Sequence, residues 1–110
     1  MTQTNANKSI VLTPDFRLTT DGDRNFILER RHTVKPPVNP AEGYVYVPRD
    51  EWRQAAFYGF TLAGLEAVIQ TVAVRSAWGE SEEMAGYIYA IMEERRALTE
   101  LTAGIREIVA

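Results

Sequence analysis

Of the side chains that carry most acid–base and nucleophilic chemistry, the chain holds a single histidine and no cysteine. Thiolate nucleophiles, disulfide frameworks, zinc fingers and iron–sulfur centres are therefore excluded. His32 closes the run Arg30-Arg31-His32 at the end of an expected strand. A hydrolytic triad needs a base, an orienting group and a nucleophile in contact, and the sequence offers His32 or a carboxylate as its only bases. The expectation is a solvated strand-end histidine, no catalytic residue and no cofactor. Asp21, Asp23 and Asn25 echo the start of a calcium loop, with oxygen ligands at alternate positions. The sixth position of that loop is Phe26 where glycine is required, and the twelfth is His32 where a bidentate glutamate belongs. These residues are read as turn formers, with no metal site. Gly59-Phe60-Thr61-Leu62-Ala63-Gly64 is a strand-to-helix junction without a phosphate-binding glycine fingerprint or an adjacent lysine.

The remaining set with chemical character is cationic and aromatic. Arg24, Arg30, Arg31, Lys35, Arg49 and Arg53 are interleaved with Tyr44, Tyr46, Trp52, Phe57 and Tyr58. Guanidinium and aromatic groups together suit charge-assisted, stacked recognition of a protein partner or a nucleotide. Asp23, Glu29, Asp50 and Glu51 lie among these cations and favour protein over nucleic acid. Residues 1–53 hold eight Lys/Arg against seven Asp/Glu, and residues 54–110 four against eight. The first half lacks the strong cationic excess of a phosphate-binding surface. The expected partner-binding set is Arg30, Arg31, Tyr44, Tyr46, Trp52, Arg53 and Tyr58.

The elements that must position these residues follow from patterning. Length (110 residues, 12.4 kDa) and a composition of 45% hydrophobic and 25% charged residues fit one globular domain. Met1–Lys8 is polar, without the apolar core of a signal peptide, and is expected to be a disordered tail preceding a single α+β domain over 9–110. The most apolar stretch, Phe57–Val74, contains Glu66 and Gln70 and is too polar for a membrane span. A soluble, cytoplasmic protein without membrane contact is the reading.

Ile10-Val11-Leu12 precedes Pro14, and Phe16–Thr20 and Asn25–Arg30 alternate around Asp21-Gly22, which predicts a β-hairpin. Lys35–Asp50 carries four of the five prolines and reads as a loop, with Tyr44–Val47 a possible edge strand inside it. Glu51–Gly59 predicts a further strand with Trp52, Gln54, Ala56 and Tyr58 on one face. Thr61 is a candidate N-cap, and Leu62, Leu65, Ile69, Val72 and Ala73 share a helical face that ends near Trp78-Gly79. A second N-cap is expected at Ser81, opening a long helix on which Met84, Ile91, Leu98 and Ile105 recur every seven residues. The fold class is α+β, with a three- to four-stranded antiparallel sheet followed by two helices, the second long. A helix of some 27 residues spans ~40 Å. Its overhang predicts a homodimer through Leu98, Leu101, Ile105 and Ile108.

The order Phe16-Arg17-Leu18-Thr19-Thr20-Asp21, Asn25-Phe26-Ile27-Leu28-Glu29-Arg30-Arg31, Glu51-Trp52-Arg53-Gln54-Ala55-Ala56-Phe57-Tyr58-Gly59, Thr61-Leu62-Ala63-Gly64-Leu65-Glu66-Ala67 and the closing Leu98-Thr99-Glu100-Leu101 with Ile105-Arg106-Glu107-Ile108 resembles small uncharacterised accessory proteins of phages and prophages of Gram-positive hosts. The resemblance spans roughly residues 15–75 and 98–109. It implies a non-enzymatic early protein that binds and inhibits a host protein, a component of antiviral defence, and it brings no catalytic or ligand residues with it. A second reading is a homo-oligomer that sequesters a nucleotide-type immune signal with the same arginines and aromatics.

Overall fold

Alternating sequence and one tight turn build the sheet. The computed structural model describes residues 8–22, 24–39 and 41–110. Strands β1 (Ile10–Thr13), β2 (Phe16–Thr20), β3 (Asn25–Thr33) and β4 (Asp50–Gly59) form one antiparallel sheet in chain order. At the β2–β3 turn Gly22 adopts φ +108°, a conformation that glycine reaches without a Cβ penalty. The Asp21 carboxylate accepts the Asn25 backbone N–H at 2.9 Å and its side-chain amide at 3.0 Å, and the amide contact holds the Asp21 pKa below the ordinary value. Turn closure thus accounts for Asp21; Asp23 and, of the expected tail over 1–8, residues 1–7 lie outside the described residues.

Three helices follow: α1 (Leu62–Ala77), α2 (Met84–Leu101) and α3 (Ala103–Val109). Thr61 caps α1, its hydroxyl accepting the Gly64 N–H at 3.0 Å. The stripe Leu65, Val68, Ile69, Val72 and Ala73 packs onto Leu12, Phe16, Leu18, Phe26 and Leu28 of the sheet, and Leu98 of α2 completes the core. Each of the larger aliphatic side chains removed from water contributes on the order of 1.5–3 kcal/mol. At the end of α1 the Trp78 ring meets Tyr87 edge-on, centroids 5.5 Å apart, which ties α1 to α2.

The α+β architecture is the one the pattern predicts, and four local details differ from it. The expected single long helix is broken at Thr102 (φ −99°, ψ 14°), where the buried hydroxyl donates back to the Leu98 carbonyl at 2.7 Å. Ser81 does not cap α2: its hydroxyl accepts the Glu83 N–H, and Glu83 is the extended residue from which the helix starts. Tyr44–Val47 forms no strand, consistent with the flanking prolines. The fourth concerns β4, where Leu28 pairs Ala56 but Glu29 pairs Gln54, so Ala55 is an extra, bulged residue. A bulge resets the alternation of faces. Ala56 and Tyr58 pack on the core, while Trp52 lies on the opposite face with Arg17.

Candidate interaction surface

The β3–β4 pair outruns the rest of the sheet. The β2 pairing ends at Arg30, the Arg31 N–H still donates to the Asp15 carbonyl at 2.8 Å, and beyond it His32 and Thr33 pair only with Glu51 and Asp50. One further bond, Val34 N–H to the Arg49 carbonyl at 2.9 Å, carries the ribbon to the mouth of the loop. Beyond it, Pro36-Pro37 and Pro48 cannot donate to a ladder, and the chain leaves regular structure. The loop makes its own local order: the Tyr46 hydroxyl donates to the Val34 carbonyl, and the Tyr44 N–H to the Ala41 carbonyl around Gly43 at φ +83°.

This arm places apolar groups where no core lies beneath them. Val38 is 93% exposed and Val45 76%, and Val47 and Tyr44 are exposed beside them. Single exposed apolar residues are ordinary, but four on one short segment make it the candidate for an interaction surface.

The ribbon's charges are largely paired. Arg17 binds Glu29 at 2.7 Å and its guanidinium stands 4.8 Å from the Trp52 ring centroid, a cation–π contact. Arg31 reaches Asp15 at 3.3 Å and Asp50 at 3.9 Å, and the Thr33 hydroxyl donates to Asp50 at 2.7 Å. Arg53 binds Glu51 at 2.7 Å and holds that carboxyl below the usual carboxylate range. Arg30 has no ion pair among the described residues. It borders an open groove of about 410 Å³ lined by Arg31, His32, Thr33, Arg53 and Gln54.

The seven expected partner-binding residues therefore do not form one patch. Arg31 and Trp52 sit on the face away from the helices; Arg30 and Arg53 pair across the ribbon on the other face. Tyr58 is half-buried against the core with its hydroxyl on Thr71 at 3.1 Å, and Tyr44 and Tyr46 belong to the arm. The expected oligomerisation stripe divides likewise. Leu98 is 2% exposed and Ile105 packs on the core, leaving Leu101 and Ile108 facing solvent. The valines of the arm escape a search for cations and aromatics, although a proline-bounded run Tyr44–Val47 signals them. His32 pairs with Glu51 at the ribbon's end, and among the described residues no cluster of histidine, aspartate or glutamate is arranged to hold a metal ion. No helix among them is long and apolar enough to cross a membrane.

No protein-family model matches the chain, and no curated protein or solved structure is significantly similar to it.

Proposed function

We propose that the chain is a non-enzymatic binding protein that engages a protein partner through the β3–β4 arm, residues 31–52. The observation that carries this reading is the exposed Val38, Tyr44, Val45 and Val47 on a ribbon that projects past the core. Apolar groups at the tip with arginines and Trp52 along the stem make the arrangement of a protein interface, an apolar centre inside a polar rim. The resemblance to phage accessory proteins supplies the finer reading: the partner is a host protein of antiviral defence, and binding blocks it.

The open groove at Arg30, Arg31, His32 and Arg53 favours a second reading, capture of a nucleotide-type signal. Two of its three arginines are already held by carboxylates, which weakens it against the first. Native mass spectrometry in host lysate separates the two, using the wild type and a Val45→Asp/Val47→Asp variant. A protein-sized added mass on the wild type and none on the variant supports the arm. An added mass of several hundred daltons on both supports the groove. Bare protein in both cases rejects both readings.

A further inference from the structure

The outer edge of β4 has no neighbouring strand among the described residues. The sheet's other edge, β1, is four residues long and its register shifts between Val11 and Thr13, which blunts it. β4 is ten residues long. The bonds at its two ends fix which way its backbone points. The Phe60 N–H donates to the Arg24 carbonyl at 3.2 Å, and the Val34 N–H to the Arg49 carbonyl at 2.9 Å. Residues bonded to β3 alternate with residues whose N–H and C=O point outward. Counted in twos from Arg49, Glu51 and Arg53 face β3, and Asp50, Trp52 and Gln54 face the open edge. The bulge at Ala55 then interrupts the series. Among the described residues no hydrogen bond reaches the outward backbone groups of Asp50, Trp52 or Gln54.

A row of unpaired N–H and C=O groups is completed by another extended strand, and charge says which one fits. A second β4 can pair antiparallel about a two-fold axis, and outward groups meet outward groups when that axis passes through a residue. With Asp50, Glu51 or Arg53 on the axis, that side chain meets its own charge across the pair. With Gln54 on the axis, the ladder runs through the Ala55 bulge of both copies. With Trp52 on the axis, Glu51 of each copy stands opposite Arg53 of the other, and Asp50 opposite Gln54. Glu51 and Arg53 already bind within the strand at 2.7 Å, so the two-fold doubles that pair into a ring of four alternating charges. The Trp52 ring, held on the opposite face by Arg17 at 4.8 Å, meets Trp52 of the other copy. Pro48 and the bulge, the two breaks in the strand, fall just outside this ladder at its ends.

We infer that β4 of a second copy of this chain adds to the open edge of β4, antiparallel, with Trp52 on the two-fold axis. Three outward pairs, Trp52 with itself and Asp50 with Gln54 twice, exchange two main-chain bonds each. The two four-stranded sheets become one. Val38, Tyr44 and Val45 of the arm lie outside the ladder, so the inference does not depend on what the arm binds.

The test is sedimentation equilibrium of the purified chain up to roughly 100 µM, where mass action favours the dimer. The wild type sediments as a dimer. Gln54→Pro removes an outward N–H and leaves the ladder to β3 whole, so the circular dichroism spectrum is unchanged. Two main-chain bonds per dimer are lost, and the dissociation constant rises roughly tenfold or more. Glu51→Arg sets arginine against Arg53 and weakens the dimer. Adding Arg53→Glu restores association, a rescue that does not rest on the folding of the proline variant. The chain has no cysteine, so a single introduced one reports the register. Oxidised Trp52→Cys cross-links two copies, because in a hydrogen-bonded pair the Cα atoms lie ~5.5 Å apart, within disulfide reach. Gln54→Cys, offset from its counterpart by four residues or about 13 Å, does not. A wild-type monomer across the whole range overturns the inference, including the case in which a foreign strand fills the edge. A dimer indifferent to Gln54→Pro, a charge exchange that fails to rescue, or cross-linking at Gln54→Cys in place of Trp52→Cys overturns it equally.

Discussion

Gly64→Ala separates close packing from helix propensity at the junction of sheet and helices. In the third position of α1, alanine gains up to ~1 kcal/mol over glycine from propensity alone. The structure sets a larger effect against it. A Cβ at residue 64 would lie 1.8 Å from the Gly59 carbonyl oxygen and 2.9 Å from its carbonyl carbon, both backbone atoms at the end of β4. Relieving that overlap moves the start of α1 off the strand by roughly 1.5 Å, and close-packed interiors respond to such shifts at a cost of ~1–3 kcal/mol or more. Leu65 and Val68, both fully buried in the next turn, move with it. At the upper end of that cost, where so severe an overlap places it, the net loss is about 2 kcal/mol. With an unfolding entropy of ~2.1 cal/mol/K per residue, a chain of this length loses ~4 °C per kcal/mol, so Tm falls by about 8 °C. Gly104→Ala is the control: nothing lies within 4 Å of its Cβ position. That substitution raises Tm by up to ~4 °C, the propensity gain alone. Scanning calorimetry of the two variants reads both signs. A Gly64→Ala protein as stable as the wild type refutes the close approach of α1 to β4.

Other consequences are open to direct measurement. Leu98→Ala, which empties a core position, lowers the urea unfolding free energy by ~2–5 kcal/mol, whereas Leu101→Ala, half exposed one turn on, costs less than ~1 kcal/mol. Equal effects would contradict the division of that stripe between core and solvent. Burial first, and the Glu80 carboxylate second, raise the pKa of Glu94 above its ordinary value. The folded state therefore holds this proton more tightly than the unfolded chain, and the group's contribution to stability declines as pH rises from the ordinary value through the raised one. Glu94→Gln accordingly raises Tm at pH 7, and the gain disappears near pH ~4, where the wild-type carboxyl is protonated. A gain that persists unchanged at low pH would assign the effect to packing. Val45→Asp/Val47→Asp leaves Tm within ~2 °C of the wild type, since neither side chain supports the core. A large fall in Tm would show that the arm packs on the domain.

What the sequence displayed of the fold was whatever local rules decide. Asp21-Gly22 dictates its hairpin, Thr61 its cap, and the spacing of Leu65, Ile69 and Val72 its buried face. Where a single residue overrides a period, the reading fails. Ala55 inserts one position into β4 and sends Trp52 and Tyr58 to opposite faces, dividing a surface that strict alternation would keep whole. Thr102 turns its hydroxyl back to Leu98 and ends α2 short of the glycine that seemed the weak point. The heptad series was real, but its meaning depends on how the helix is rotated. Leu98 goes to the core, whereas Met84, at an equivalent heptad position, is exposed because the inward face of α2 is carried there by Tyr87, Ala90 and Ile91. The candidate surface was legible only in part. Proline content marks the loop, but that the β3–β4 ribbon outruns β2 depends on strand register, which patterning does not reveal.

Amide hydrogen exchange, on the free chain and on its complex with the protein partner proposed above, tests the role of the arm most directly. The account predicts protection on binding concentrated in residues 31–52, greatest at Tyr44–Val47, with α1 unchanged. Protection confined to the helices, with the arm exchanging as freely as in the unbound protein, would contradict it.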